Sequence, residues 1–139
     1  SAARGLDCPV NVKQLVEIAR DGHPLTSMAR AWLRHFNARD LDLLLSLYAE
    51  DAVHVSPKLR DRRPETKGEI RGKAALRDWW RDAFVRLPGL RYDEQHVTAS
   101  GNRVFLEYLR TVPGEADLIV AELFVVARGA IVESRVFHG

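Results

Sequence analysis

The order of helical and strand-like patterns along the chain constrains its fold more than any other feature. From about residue 90 to the end, four extended runs are divided by turn signals at residues 100–102, 113–114 and 128–129. Because these connections are short, consecutive strands are expected to pair antiparallel. Helical periodicity dominates the first half, and helices first with strands last is typical of an α+β domain.

Three helices are predicted ahead of these strands, together with a short N-terminal one. Apolar residues recur at spacings of three and four over four stretches, which are residues 11–20, 26–38, 41–49 and 75–84. Asp40 is placed to cap the third of these helices, and Gly72 precedes the last. The two central helices are joined so tightly that the chain must turn back on itself between them.

A basic segment follows a short extended piece, residues 52–56, that Pro57 ends. Residues 58–73 carry seven basic and three acidic side chains, and the acidic ones are interleaved among the basic ones. The segment lacks the alternating aromatic residues that stack on bases. It is therefore predicted to be a solvated loop, and nucleic acid is not expected as a partner.

Length and composition fit one globular domain. The chain has 139 residues, of which 46% are hydrophobic, which is too apolar for intrinsic disorder. The single cysteine, Cys8, excludes an internal disulfide and favours a reducing compartment. No apolar run is long enough for a signal peptide or a membrane span. We therefore expect a cytoplasmic protein that does not bind membranes.

Four short strings mark turns and helix starts of a known superfamily. They are FNARDLD at residues 36–42, LYAEDAV at 47–53, IRGK at 70–73 and GAIVE at 129–133. Together with the order of elements, they resemble the nuclear transport factor 2-like superfamily, which includes SnoaL-like proteins and ketosteroid isomerase. The resemblance covers residues 24–139. One such domain is expected over residues 1–139, with residues 1–23 as an extension that carries the extra N-terminal helix.

The resemblance implies a cone-shaped fold of the cystatin-like α+β barrel type. A strongly curved antiparallel sheet wraps around three helices, and its open end admits a small apolar molecule. The outer face of the sheet is implied to form a homodimer, and no cofactor is expected. Residues 118–126 favour a partner independently, because they are apolar on both sides of the strand, which a sheet with one wet face does not require.

Ketosteroid isomerase uses an aspartate base, with a tyrosine and a protonated aspartic acid as its oxyanion hole. By resemblance, the tyrosine falls on Trp32, the base on Ser56 and the acid on Glu122. Only one of the three roles is kept, so that reaction is not expected. An epoxide hydrolase is also disfavoured, because it needs an inward arginine between carboxylates.

Alternation along each strand predicts which side chains face the pocket. The two catalytic candidates are Glu122 and His54, and the other predicted pocket residues are Trp32, Phe36, Ser56, Trp80, Phe105, Glu107, Phe124 and His138. In the same register, Arg110, Glu133 and Arg135 fall on the outer face as surface or interface ion pairs. No arginine is therefore expected inside the pocket.

Glu122 is the first candidate because apolar surroundings raise the pKa of a carboxyl group toward neutrality, where it can act as a general acid or base. His54 is the second, because an imidazole changes charge near physiological pH and could pair with a glutamate. The alternative for each is a hydrogen-bonded core residue without a catalytic role. The histidines show no metal-ligand spacing, so no metal site is expected.

Three functions follow from this pocket. The first is a cofactor-independent acid/base enzyme, such as an isomerase, cyclase, dehydratase or hydrolase, that acts on an apolar metabolite. The second is a non-catalytic ligand-binding or accessory dimer. The third is a structural dimer whose pocket is filled by Trp32, Phe105 and Phe124.

Overall fold

The computed structural model describes residues 24–138, which form one α+β unit, as predicted. The helices are α1 (Pro24–Asn37), α2 (Leu41–Ser46), α3 (Pro57–Arg62) and α4 (Lys73–Arg86), with a 3₁₀ turn at Pro64–Thr66. The strands are β1 (Tyr48–Val55), β2 (Glu69–Arg71), β3 (Arg91–Ser100), β4 (Arg103–Thr111), β5 (Leu118–Ala127) and β6 (Ala130–His138). The predicted helix at residues 11–20 lies outside the described residues.

The six strands form one curved, unclosed sheet in the order β2-β1-β6-β5-β4-β3. Strands β3 to β6 are the predicted antiparallel meander. The pairing of β1 with β6 is parallel, which departs from the expectation of a wholly antiparallel sheet. No hairpin joins these two strands, so short turns do not set their relative direction.

The helices pack on the concave face of this sheet. In α1 the buried residues recur at helical spacing, with Ala29, Trp32, Leu33 and Phe36 facing the core. Asp40 caps α2 by accepting a hydrogen bond from the backbone N–H of Leu43 at 3.0 Å, as its position predicts. The tight turn between the two helices lets α1 pack against β3 and β4, while α2 contacts β1 in another part of the sheet.

The basic segment at residues 58–73 is structured, so the prediction of a loop is wrong, while most of its charged side chains are exposed, as a solvated segment requires. Pro57 stands in the first turn of α3, where a missing backbone N–H removes no helical bond. Gly68 then turns the chain at φ +87°, and its carbonyl accepts a hydrogen bond from the Ser56 N–H at 2.9 Å. The segment therefore packs against the end of β1.

The register of β4 is shifted by one residue from the predicted one. Its buried residues are Val104, Leu106, Tyr108 and Arg110, and they face the concave side. Phe105 and Glu107 therefore lie on the outer face, where Phe105 is 48% exposed, and their assignment to the pocket is wrong. Apolar residues occupy both sides of this strand, so the pattern carries no signal for which side is buried.

The outer face of the sheet exposes large apolar side chains. Phe105, Ile119 and Phe137 come from three adjacent strands, and the buried Leu123 lies opposite Phe105 on the same side of the sheet. We call these four residues the outer apolar face. None of the described helices is long and apolar enough to cross a lipid bilayer.

Candidate ligand-binding site

A cavity of about 290 Å³ opens between the helices and the concave face of the sheet. It is lined by Trp32, Phe36, His54, Ser56, Lys58, Asp61, Arg62, Trp79, Trp80, Ala83, Arg86, Leu87, Leu90, Tyr92, Tyr108, Arg110, Glu115, Val120, Glu122, Val136 and His138. The inner part is mostly aromatic and apolar, and charged side chains gather at the mouth. An open cavity excludes the filled pocket of the structural-dimer hypothesis.

Trp32 is the centre of the aromatic lining. Its ring stacks on Phe36 with centroids 5.2 Å apart and meets Trp80 edge-on at 6.5 Å. Phe124, a predicted pocket residue, is fully buried 5.3 Å from the Trp32 ring and is not among the lining residues. Trp79, which lies beside Trp80 on α4, lines the cavity as well.

The Glu122 carboxyl group is enclosed by this lining. Its side chain comes from β5, and the residue is 1% exposed. Oε1 accepts a hydrogen bond from the Tyr108 hydroxyl at 3.0 Å, while Oε2 is buried without a partner among residues 24–138. Burial raises the pKa of Glu122 to about 8, and the hydrogen bond from Tyr108 acts in the opposite direction. The carboxyl group is therefore mostly protonated at neutral pH.

Tyr108 is held in place by Tyr92 of β3. The two rings stack with centroids 4.1 Å apart. The side chain of Asn37, at the end of α1, fixes the Tyr92 backbone by accepting from its N–H at 2.9 Å and donating to its carbonyl at 2.7 Å. Helix α1 thus positions β3, whose Tyr92 supports Tyr108, the hydrogen-bond partner of Glu122.

His54 lies on β1, on the other side of β6 from Glu122. The residue is 3% exposed, and its Nδ1 lies 2.6 Å from the hydroxyl of Ser134. Burial lowers the pKa of His54 to about 4, so the imidazole is neutral at physiological pH. Of the described residues, Ser134 and not a glutamate is its hydrogen-bond partner, so the suggested pairing with a glutamate is wrong.

Tyr48 connects this histidine to the tryptophan at the cavity floor. Its hydroxyl accepts a hydrogen bond from the Trp32 indole at 3.0 Å, and it also interacts with the Ser134 hydroxyl. Burial raises the pKa of Tyr48 well above its usual range, so it stays neutral. Sequence reasoning missed Tyr48 because it follows an apolar helical run and was assigned to that helix.

The mouth of the cavity contains Arg110, a charged residue that the sequence predicts on the outer face of the sheet. Arg110 is 8% exposed and lines the cavity, so its assignment to the outer face, and the expectation of no inward arginine, are wrong. Its Nη1 donates to Oε1 of Glu115 at 3.1 Å. The cause is the same shift that moved Phe105 and Glu107 outward. By contrast, Glu133 and Arg135 form a partly exposed ion pair at 3.4 Å.

Seven of the predicted site residues therefore line one cavity. They are Glu122, His54, Trp32, Phe36, Ser56, Trp80 and His138. His138 lies near the mouth, and its pKa is lowered by partial burial and by the nearby charges of Lys58 and Arg110. Tyr92, Tyr108 and Arg110 were missed. Within residues 24–138, no group of three or more His, Cys, Asp or Glu side chains is arranged to hold a metal ion.

A family model described as the SnoaL-like domain matches residues 29–134, which is most of the chain. The chain belongs to the SnoaL-like domain family. The superfamily resemblance is thereby confirmed. The search of curated proteins finds no match for this SnoaL-like domain.

Solved structures share the fold of this SnoaL-like domain. A SnoaL-like protein of unknown function from Burkholderia thailandensis E264 is 26% identical, with a TM-score of 0.74 over 81% of this chain and 92% of that one. TerC, crystallised with polyporic acid, is 21% identical, with a TM-score of 0.73 over 84% and 92%. A putative ketosteroid isomerase from Kribbella flavida DSM 17836 is 20% identical, with a TM-score of 0.67 over 81% and 76%.

Proposed function

We propose that this SnoaL-like domain is a cofactor-independent enzyme that moves a proton on an apolar carbonyl compound, with Glu122 as the proton carrier. The observation that carries the proposal is the state of the Glu122 carboxyl. It is buried among aromatic side chains, its Oε1 is occupied by Tyr108, and its Oε2 has no partner in the part of the chain that the structure describes. A carboxyl held this way can exchange a proton with a molecule in the cavity.

The pKa of Glu122 suits that role. Since burial raises it to about 8, both protonation states are populated near neutral pH. The ionised form is also a stronger base than an exposed carboxylate. Oε2 takes a proton from the carbon beside the substrate carbonyl, which leaves an enolate, and Glu122 then returns a proton to that carbon or to another one. The product is an isomer or, where the proton on Glu122 has exchanged with solvent before its return, a substrate that carries a solvent hydrogen.

His54 is proposed to polarise the carbonyl rather than to accept the proton. The Trp32 indole donates to the Tyr48 hydroxyl, and the Ser134 hydroxyl interacts with both Tyr48 and His54. In the proposed mechanism Ser134 donates to Nδ1 of His54, and the ring hydrogen lies on Nε2. This tautomer replaces the base role expected from sequence. A neutral imidazole N–H stabilises the negative charge of an enolate.

The neighbours in fold support a ring-bearing substrate. TerC was crystallised with polyporic acid, and another neighbour is a putative ketosteroid isomerase. The stacked rings of Trp32, Phe36 and Tyr92 suit a flat apolar body.

The test is exchange of carbon-bound hydrogen in heavy water. β-Tetralone and related cyclic ketones are incubated with the protein, and loss of the hydrogens beside the carbonyl is followed by NMR. The native protein is expected to accelerate the exchange, with a rate that rises with pH through about 8. Glu122→Gln should reduce the rate by at least about a hundredfold, because an amide cannot carry the proton.

Glu133→Gln is the matched control, because Glu133 lies on the outer face in an ion pair with Arg135. It should leave the exchange rate unchanged. Equal rates for the native protein and Glu122→Gln would show that Glu122 does not carry the proton. Ketones that raise the melting temperature of both proteins without exchange would favour the non-catalytic binding protein instead.

A further inference from the structure

Positive side chains outnumber negative ones at the cavity mouth. Lys58, Arg62, Arg86 and Arg110 line it, and Asp61 and Glu115 are the acidic residues beside them. Arg86 is already paired with Asp82 at 2.8 Å, outside the lining. The mouth therefore presents a positive field to a molecule that enters.

Arg110 is the most buried of these cations. Its side chain is 10% exposed, whereas that of its ion-pair partner Glu115 is 47% exposed. Only Nη1 is engaged, so the remaining N–H donors of the guanidinium have no partner among residues 24–138. A mostly buried guanidinium with one solvated partner is strongly stabilised by a second, enclosed oxyanion.

Lys58 and Arg62 reinforce this field from α3. Neither has an acidic partner within 4 Å among the described residues, which distinguishes them from Arg86 and Arg110. His138 lies across the mouth: burial lowers its pKa most, the charges of Lys58 and Arg110 lower it further, and Asp61 acts in the opposite direction. Three elements, α3, β4 and β6, thus bring polar groups to one opening.

Arg110 and Glu122 lie at successive depths on the concave face. Arg110 is two residues from Tyr108 on the same side of β4, a rise of about 7 Å. Tyr108 in turn hydrogen-bonds Glu122 on the adjacent strand. The order from mouth to interior is Arg110, Tyr108, Glu122, with aromatic rings between and beside them.

We propose that the ligand of this cavity is an organic acid, whose ring-bearing body lies among the aromatic side chains and whose carboxylate is bound by Arg110 at the mouth. This inference rests on the proposed function, because it takes the same cavity as the binding site and adds the charge of its substrate. The planar guanidinium matches a carboxylate in geometry. The acid group fixes the orientation in which the other end of the ligand meets Glu122.

The test uses two probes that differ only in charge, para-phenylbenzoate and its neutral amide, para-phenylbenzamide. All three tryptophans of the chain line the cavity, so quenching of tryptophan emission reports binding there and not on the outer apolar face. The native protein is expected to bind the carboxylate at least about tenfold more tightly than the amide. Arg110→Met should remove that preference and leave the affinity for the amide unchanged.

Two further variants separate the role of Arg110 from an effect on folding. Arg103→Met makes the same change on the same strand, at an exposed position away from the cavity, and should preserve the preference. Glu115→Gln frees Arg110 from its ion pair and should strengthen carboxylate binding several-fold. Arg110→Met/Glu115→Gln removes both partners, leaves no unpaired carboxylate, and should bind like Arg110→Met.

Each outcome decides the inference. Equal affinities for the two probes, or a carboxylate preference that survives in Arg110→Met, would overturn it. In those cases the cavity still binds an aromatic molecule, so the proposed function stands. If neither probe quenches the tryptophans of the native protein, the inference and the binding site of the proposed function both fail.

Discussion

At the scale of single residues, the protein keeps an ionisable group where its charged form is disfavoured. Glu122 is enclosed with one hydrogen bond, from Tyr108, and burial raises its pKa from the ordinary 4.5 to about 8. The folded state therefore binds this proton more tightly than the unfolded chain does. Stability and proton transfer are linked through the same group.

The linkage gives a direction for the effect of pH. A carboxyl whose pKa is raised on folding stabilises the native state at low pH, and this contribution is lost as pH rises through about 8. From about pH 6.5 to about pH 9, the native protein should lose on the order of 2 kcal/mol from this group. The free energy of urea unfolding at the two pH values measures the loss, and Glu122→Gln should abolish it.

His54 does not interfere in that range. Burial lowers its pKa from 6.5 to about 4, so its stabilising contribution is lost only as pH falls below about 6.5. Glu133→Gln serves as the control, since Glu133 is partly exposed. The free energy of unfolding of Glu122→Gln is compared with that of the native protein at the same two pH values. If both fall equally between these values, Glu122 is already ionised in the folded state.

The environment of Glu122 could be predicted from its own strand, because Val120 and Phe124 flank it at the alternate positions that share its face. Its hydrogen bond could not be predicted, because Tyr108 lies on another strand whose register the sequence leaves open. His54 is a similar case. Its partner Ser134 is 80 residues away in sequence and faces it only through the parallel pairing of β1 with β6.

At the scale of elements, β4 and β5 are both apolar on two sides, and prediction was right only where the charged residues all fall on one side. Strand β5 has Glu122 as its single charged residue, and the side predicted for it was right. Strand β4 has apolar residues on both sides, Leu106 inward and Phe105 outward, and the prediction chose the wrong one. A single error of one residue displaced Phe105 and Glu107 and concealed Arg110.

The contact between α1 and β3 gives a prediction about an element. Asn37 makes two hydrogen bonds to the Tyr92 backbone, at 2.7 and 2.9 Å, in a partly buried place. Asn37→Ala leaves both backbone groups unpaired and should lower the free energy of unfolding by about 2 kcal/mol. Urea denaturation measures the change.

Asn102→Ala is a matched control, because Asn102 is exposed in the hairpin between β3 and β4, and its backbone carbonyl keeps the bond to Val126. It should change stability by less than about 0.5 kcal/mol. A loss in Asn37→Ala no greater than in this control would show that α1 and β3 are held together by ring packing alone.

At the scale of the whole molecule, the curved sheet has a concave side that encloses the cavity and a convex side that stays partly apolar. The fold class and the antiparallel meander could be predicted from the order of elements and the turns. The position of β1 could not, since it joins the sheet beside the last strand in the chain. We propose that the outer apolar face binds a second copy of this chain, because three large apolar side chains there are nearly half exposed.

Phe137→Glu tests this homodimer. Phe137 is 44% exposed at the centre of the sheet, and a charge there should prevent two apolar faces from packing. Analytical ultracentrifugation should show a dimer for the native protein and a monomer for the variant. Val85→Glu puts the same charge on the exposed side of α4, where Val85 is 76% exposed, and should remain dimeric. A native monomer at all concentrations would contradict the proposal.

The exposed edge of the sheet bears on how the protein avoids aggregation. Strand β3 ends the sheet with ten residues, and a free edge of that length can template the addition of foreign strands. Here it carries Arg91, Asp93, Glu94 and His96, and its register shifts between Glu94 and His96. Charge and irregularity together disfavour the addition of strands at this edge, and β2 at the other edge is only three residues long, so stacking of faces is the favoured route by which copies associate.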